Sequence, residues 1–356
     1  MRSVLGLWGI VAAVCAGYLA YWPVPAQPES WEAPHNPGYI DAFAPNDRLG
    51  QLEFLDLAGR KGPEDVAIGP DGLLYIATHD GEILRLAQSG GAAEVFAQTN
   101  GRPLGLEFGP DGNLYVADAY RGLLAIAPDG AVRLLADQAD GKPILYADDV
   151  DVAEDGTVYF TDASTRFGAE ANGGTLRASV LDLLEHSDNG RVLKYDPVTE
   201  QTTLFSQGLT FPNGLAVGSD GSVFVVETGT YSVWRYAPDG GQRELVIGRL
   251  PGFPDNINPA QDGTFWVGLV SPRNALMDKL SDRPGLRRAI LRLPDSMKPA
   301  PERYGFVLRI AADGAVLETL QDPSGGYALT TGAVTAADGS VFVSSLTESR
   351  LGVLRP

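Results

Sequence analysis

The chain has 356 residues and a formal net charge of −18, a balance that would repel a phosphate backbone and argues against nucleic acid as a partner. Cys15 is the only cysteine, so the chain forms no internal disulfide and has no cysteine cluster to hold zinc or iron–sulfur. Its 43 glycines and 25 prolines fall mostly in turn dipeptides between short apolar runs, which predicts many strands and few long helices.

In chain order, Ser3 to Trp22 (SVLGLWGIVAAVCAGYLAYW) runs 20 positions without a charge. A helix of that length covers about 30 Å, so residues 1–22 are expected to form a membrane anchor. Tyr18, Tyr21 and Trp22 would sit at the far interface and Arg2 on the cytoplasmic side. This places the body on the periplasmic or extracellular side. A cleaved signal peptide is the rival, with Val24-Pro25-Ala26 a poor small-residue cleavage site. Six prolines between Pro23 and Pro45 predict a semi-extended tether over 23–48, with His35 as a solvated tether residue. The folded body is expected over 49–356, starting with a short strand around Leu52, Phe54, Leu55 and Leu57.

From there a pattern repeats. Asp-Gly occurs at Asp71, Asp111, Asp155, Asp220, Asp262 and Asp338, each followed by an apolar run such as LLYIA, NLYVAD, TVYFTD, SVFVVE, TFWVG or SVFVSS. Asp-Gly between two such runs is a strong hairpin signal, because glycine accepts the positive φ of a tight turn. Second hairpins follow in several copies, at Asp129, Asp239 and Asp313. Four strands in roughly 40 residues is the size of a propeller blade, so six copies predict an all-β, six-bladed β-propeller. The last copy has only three strands, and pairing the Leu52–Leu57 strand onto it would close the ring and remove an edge. Two long intervals carry surplus sequence at about 163–189 and 271–304, with the helix-like stretches LRASVLDLLEH and NALMDKLSDRPGLRRAI. Both follow the second strand of a blade and should form lids over the face where the innermost strands begin.

Counting back seven residues from each Asp-Gly gives Glu64, Leu104, Asp148, Asn213, Asp255 and Thr331, each followed by Asp65, Gly105, Asp149, Gly214, Asn256 or Gly332. In a propeller these positions converge on the mouth of the central channel. Glu64, Asp148, Asn213, Asp255 and Asn256 then bring five oxygen-bearing side chains to one place. Crowded carboxylates need a counter-charge, and an oxygen-only set suits Ca2+, with magnesium or manganese as alternatives. No His or Cys occupies these positions, which disfavours zinc. Asp65 and Asp149 alternate with the ligand positions and should point away from the axis. They would either hydrogen-bond the neighbouring blade or hold a second, deeper cation.

Several stretches match a family: GPEDVAIGPDG, GRPLGLEFGPDGNLYVADAYRGLL, DNGRVLKYDP, FPNGLAV, LPGFPDNI and MDKLSDRPGLRR. Over about Leu49 to Leu354 the chain resembles the strictosidine synthase-like and adipocyte plasma membrane-associated protein family. More distantly it is similar to paraoxonases and to the gluconolactonase/regucalcin group. The resemblance implies a six-bladed propeller with a central calcium held by Glu64, Asp148, Asn213, Asp255 and Asn256, the set reached by counting. It also implies departures. Leu104 stands where paraoxonase-type sites carry a histidine base. Thr330 to Thr335 (TTGAVT) lacks the glutamate with which strictosidine synthases drive condensation. Asp148 stands where relatives often carry asparagine.

These departures leave metal-assisted hydrolysis of a small-molecule ester or lactone as the expected chemistry, of arylesterase or lactonase type. Asp255 is the candidate general base, alone or sharing the task with Asp148; the alternative is that Asp255 is a ligand only. His79 lies on the lid side as an alternative base or as a solvated loop residue, and His186, in the third-blade insertion, either reaches over the site or sits on the lid surface. No Gly-x-Ser-x-Gly elbow is present, so a serine hydrolase is not supported. Phe167, Leu276, Met277 and Leu280 would either wall a substrate pocket or pack the lids. The alternatives to hydrolysis are a non-catalytic calcium-stabilised propeller that binds a ligand or protein and, disfavoured by the absent glutamate, an amine condensation.

Overall fold

The six Asp-Gly turns each do the same local work in the computed structural model, which describes residues 2–260 and 262–356, with the backbone alone given for residues 2–7, 9–12 and 295. Each aspartate accepts a hydrogen bond from the backbone N–H two residues on, from Leu73, Asn113, Thr157, Ser222, Thr264 and Ser340 in turn. The glycine between adopts φ of +77 to +87°. Aspartate fixes the turn through its own side chain and glycine supplies the left-handed residue.

These turns join the two inner strands of six four-stranded antiparallel sheets. The innermost strands are Val66–Ile68, Pro103–Phe108, Ala147–Val152, Pro212–Val217, Gly252–Pro259 and Thr330–Thr335. The ring closes as expected. The sixth blade takes its outer strand from the start of the body, where Glu53–Asp56 pairs antiparallel with Arg350–Leu354 in the register Glu53 to Val353. Apolar clusters fill the spaces between neighbouring blades. One joins Leu55 and Leu57 to Val66, Ile76, Leu351 and Val353, where the chain's beginning meets its end.

Four α-helices are described: α1 (Arg2–Tyr21), α2 (Thr175–Glu185), α3 (Ala275–Lys279) and α4 (Pro284–Leu291). The last three occupy the two insertions and form lids over the mouth of the channel. Asn274 caps α3 by accepting from the Leu276 and Met277 N–H groups.

The expected membrane anchor is corrected here. Part of that span lies outside the residues whose side chains are described, and among the described residues no helix is long and apolar enough to cross a membrane. Placement of the body beyond a membrane falls with it. The fully described residues of this stretch, Trp8 and residues 13–22, are fewer than the roughly 20 that a span needs. The end of α1 is also tied to a lid, since the Arg292 guanidinium donates to the Leu19 carbonyl at 2.8 Å and to that of Trp22.

The Pro-rich stretch expected as a tether lies against the body. Ala26 is buried, and the Glu29 N–H donates to the Glu185 carbonyl at 2.8 Å. Asn46 donates to the Thr319 hydroxyl at 2.9 Å. Proline disfavours helix and ladder pairing but does not prevent an extended segment from packing, and the polar backbone here is satisfied by the lids.

Candidate functional site

In five innermost strands the ladder register skips at one equivalent place. The skips fall between Pro103 and Leu106, Ala147 and Val150, Pro212 and Leu215, Pro254 and Ile257, and Thr330 and Ala333. The skipped pairs are Leu104-Gly105, Asp148-Asp149, Asn213-Gly214, Asp255-Asn256 and Thr331-Gly332. In the first blade Glu64-Asp65 holds the same station, with the Glu64 N–H donating to Ala77 and the Ala77 N–H to Asp65. A bulge bends a strand and re-aims its side chains, so adjacent residues such as Asp255 and Asn256 leave strict alternation.

The second residues of these pairs alternate around the ring: Asp65, Gly105, Asp149, Gly214, Asn256, Gly332. The physical reason is close approach. Asp65 accepts from the Leu106 N–H of the next blade at 2.9 Å, and Asp149 from the Leu215 N–H at 2.8 Å. A Cβ at Gly105 would lie 2.2 Å from Asp149 Oδ1, and one at Gly214 would lie 2.5 Å from the Ile257 nitrogen and 2.6 Å from the Asp255 oxygen. Asp65 and Asp149 thus stitch neighbouring blades, the first of the two roles considered for them. Gly214→Ala is expected to force the fifth blade's innermost strand outward. The cost should be about 1–3 kcal/mol, with weaker cation binding, measured by chemical denaturation and calcium titration.

The first residues are all buried: Glu64, Leu104, Asp148, Asn213, Asp255 and Thr331, with Asn256 at 0% exposure beside them. Asn213 donates to Asp255. The Asn256 amide donates to the Glu64 carbonyl at 3.2 Å and to Glu64 Oε1 at 3.3 Å. Of the seven buried side-chain oxygens without a hydrogen-bond partner among the described residues, four are here: Glu64 Oε2, Asp148 Oδ2, Asn213 Oδ1 and Asn256 Oδ1. Buried oxygens are rarely left unpaired, so this set has the chemistry of a hard-cation site. Among the described residues no group of three or more His, Cys, Asp or Glu side chains stands ready to hold a metal ion. A cation held here would have to draw on the amide oxygens of Asn213 and Asn256 as well as on carboxylates.

The carboxylates strain against each other. Burial, followed by the charges of Asp255 and Asp148, raises Glu64 well above the ordinary carboxylate range; burial and Asp255 do the same to Asp148. Burial pushes Asp255 up to about 7. One layer deeper, burial pushes Asp151 up to about 7 as well. Because the folded-state values lie above those of the unfolded chain, the cation-free folded protein binds the extra protons, and its stability falls as pH rises from about 4 to 7. In chelator, Tm at pH 4.5 should exceed Tm at pH 7.5, and calcium should narrow the gap by supplying the counter-charge at neutral pH.

Above this floor is a cavity of about 310 Å³ reaching up to both lids. Its walls include Leu104, Tyr146, Phe211, Tyr231, Phe253 and Met277. Of the lid residues expected as wall or packing, Met277 lines the cavity, Phe167 and Leu280 are buried within the lids, and Leu276 is exposed. His79 and His186 both line the cavity, His186 being only 8% exposed. Burial lowers the pKa of each, that of His186 to about 3.

The sequence reading missed Arg102. It is 2% exposed and lines the cavity, and its charge favours the ionised forms of Glu64 and Asp148. The available signal was its place two residues before Leu104. A larger cleft of about 650 Å³ lies at the opposite, Asp-Gly end, lined by residues such as Asp155, Asp220 and Gly263. None of the partnerless buried side-chain atoms among the described residues lies there.

Comparison with known proteins agrees with this architecture. Residues 41–86 match the family described as "Strictosidine synthase-like, N-terminal" and residues 148–240 match "Strictosidine synthase". The chain is 33% identical over 218 residues to Protein STRICTOSIDINE SYNTHASE-LIKE 3 of Arabidopsis thaliana, a match covering 58% of this chain and 54% of that protein. It is 34% identical over 352 residues to adipocyte plasma membrane-associated protein of Homo sapiens, covering 91% of this chain and 82% of the relative. Among solved structures, a Xanthomonas campestris gluconolactonase superposes with a TM-score of 0.62 at 19% identity, covering 95% of this chain and 98% of that one. A regucalcin from Agrobacterium tumefaciens, described as a calcium-binding protein, gives 0.59 at 15% identity over 85% of this chain and 93% of its own. These two likenesses are of fold. With both family signatures present and the human relative matched over most of its length, the chain belongs to the strictosidine synthase-like family that includes adipocyte plasma membrane-associated protein.

Proposed function

We propose that the protein is a calcium-dependent hydrolase of small esters or lactones, with its site at the mouth of the propeller channel. The reading rests on one observation above the others: partnerless buried oxygens on Glu64, Asp148 and Asn213 belong to residues that line a largely apolar cavity, and a fourth, on Asn256, lies behind them on a side chain bonded to Glu64. Glu64, Asp148, Asn213, Asp255 and Asn256 would hold the ion. Calcium, when bound, supplies polarisation of a carbonyl and a counter-charge for the oxyanion.

The chain's own groups do the rest. The apolar walls seat the body of the substrate and exclude bulk water, leaving its carbonyl at the polar floor. Asp255, with Asp148 beside it, accepts a proton from the attacking water as the water oxygen bonds to the carbonyl carbon. When the bond between that carbon and the alcohol oxygen breaks, the departing oxygen takes the proton back. The buried guanidinium of Arg102 offsets negative charge at the floor throughout.

The test is hydrolysis of aryl esters and lactones by the purified protein with excess calcium or excess chelator, alongside its metal content. The proposal expects bound calcium and turnover lost on chelation. Turnover that survives chelation would sink the metal mechanism, whereas tight calcium binding without turnover of any substrate would favour a ligand-binding propeller.

A further inference from the structure

We infer that Trp31, carried on the extended segment from Gln27 to Pro34, is a substrate-contacting residue that sets which apolar groups the cavity accepts. The inference rests on the cavity being the substrate site, as proposed above. It goes beyond that reading by giving the Pro-rich stretch a role in specificity.

The segment is fastened as a strap across both lids. From the third-blade lid, the Glu185 carbonyl accepts from the Glu29 N–H at 2.8 Å and the Glu185 carboxylate from the Gln27 N–H at 2.5 Å. From the fifth-blade lid, the Ser281 carbonyl accepts from the Trp31 N–H at 3.1 Å and the Ser281 hydroxyl from the Ala33 N–H at 3.3 Å. Two buried arginines rivet the assembly. Arg287, 1% exposed, donates to Leu184 at 3.0 Å, to Ser281 at 3.1 Å and to the strap's Glu29 carbonyl, tying strap and both lids together. Arg273 donates to the Pro34 carbonyl at 2.7 Å and lies 3.9 Å over the Tyr231 ring. Such charge-assisted bonds from buried guanidinium groups are strong and directional.

This fastening holds one large side chain at the cavity. Trp31 lines it, stacked on His186 with ring centroids 3.8 Å apart and planes 15° from parallel, and it stands 6.2 Å from the Tyr231 ring. The stack spends one face of the indole on the lid. The same cavity is lined by Phe211, Phe253 and Met277 and by the acidic residues Glu64, Asp148 and Asp255. A rigid aromatic pair on the wall of this cavity gives a flat apolar surface suited to a planar or bulky apolar substituent.

The experiment uses the full chain and two probes, 2-naphthyl acetate for turnover and 2-naphthol, followed by its own fluorescence anisotropy, for binding. Trp31→Ala should weaken 2-naphthol binding about tenfold and raise KM for 2-naphthyl acetate by a similar factor, with kcat little changed. Trp31→Phe should recover most of both, and calcium affinity should be the same in all three proteins. Unchanged 2-naphthol affinity in Trp31→Ala would overturn the inference, as would no binding to the parent protein. An equal loss in both variants accompanied by lost calcium binding would also overturn it, because the effect would then be on the fold. If the parent binds 2-naphthol but turns over no ester, the hydrolase proposal fails and the binding comparison still decides the role of Trp31.

Discussion

Asp255→Asn is expected to lower ester or lactone turnover by at least about 1000-fold and to remove the stabilisation that calcium confers on the parent. Asp255 is the hub of the floor. It accepts from Asn213, and after burial its charge is the largest influence raising both Glu64 and Asp148. An amide keeps the shape but loses the charge that attracts a cation and the basicity that accepts a proton. Removing that charge also relieves the crowding, so the variant should be more stable than the parent in chelator at pH 7.5 while losing its Tm gain on adding calcium. A parent-like calcium response in the variant would remove Asp255 from the site. The inverted stability effect separates loss of a ligand from simple damage to the fold, which would lower Tm under both conditions.

Simultaneous Leu55→Ala and Leu57→Ala should destabilise the propeller by about 4 kcal/mol or more, since each buried Leu→Ala change typically costs roughly 2–5 kcal/mol. These residues are 7% and 0% exposed, and they pack against Leu351 and Val353 on one side and against Val66 and Ile76 of the first blade on the other. The sixth sheet depends on the Glu53–Asp56 strand for its outer edge, so weakening this contact frees the two chain ends of the ring together. Denaturant unfolding followed by tryptophan fluorescence should show an earlier midpoint. A midpoint within experimental error of the parent would mean that closure at this seam contributes little.

Both expectations were already legible in the chain before any coordinates, and for the same reason. Hairpin chemistry is local: an aspartate and a glycine followed by alternating apolar residues record a turn and a strand within a dozen positions. Repeating that record six times fixed the blade count, the seven-residue offset from Asp-Gly marked the mouth of the channel, and the three-stranded last copy called for the early strand around Leu55. Glu64, Asp148, Asn213 and Asp255 followed from the repeat, since equivalent positions in a closed ring meet near its axis, whereas Asn256 stands one residue further on.

The N-terminal stretch shows the opposite case. Its lack of charge suggested a span and its prolines a tether, because those are the readings composition offers when no repeat is present. Among the described residues no helix is long and apolar enough to span, and tertiary contacts lay the Pro-rich stretch against the body. Arg292 holds the end of α1, and Arg287 and Arg273 hold the strap, across more than 200 residues of intervening chain. Nothing periodic announces such a contact, since it depends on where two insertions place a carbonyl and a guanidinium.

By itself, then, the sequence determined the ring, its closure and the acidic residues at its centre, because these follow from short-range turn chemistry multiplied by symmetry. Only the tertiary structure decided that the ladder skips at Asp255-Asn256 and its equivalents, that the glycines alternating with Asp65, Asp149 and Asn256 are needed for neighbouring blades to approach, and that Arg102 and Trp31 share the cavity. Those outcomes depend on close packing between segments far apart in the chain, where a few tenths of an ångström decide what fits.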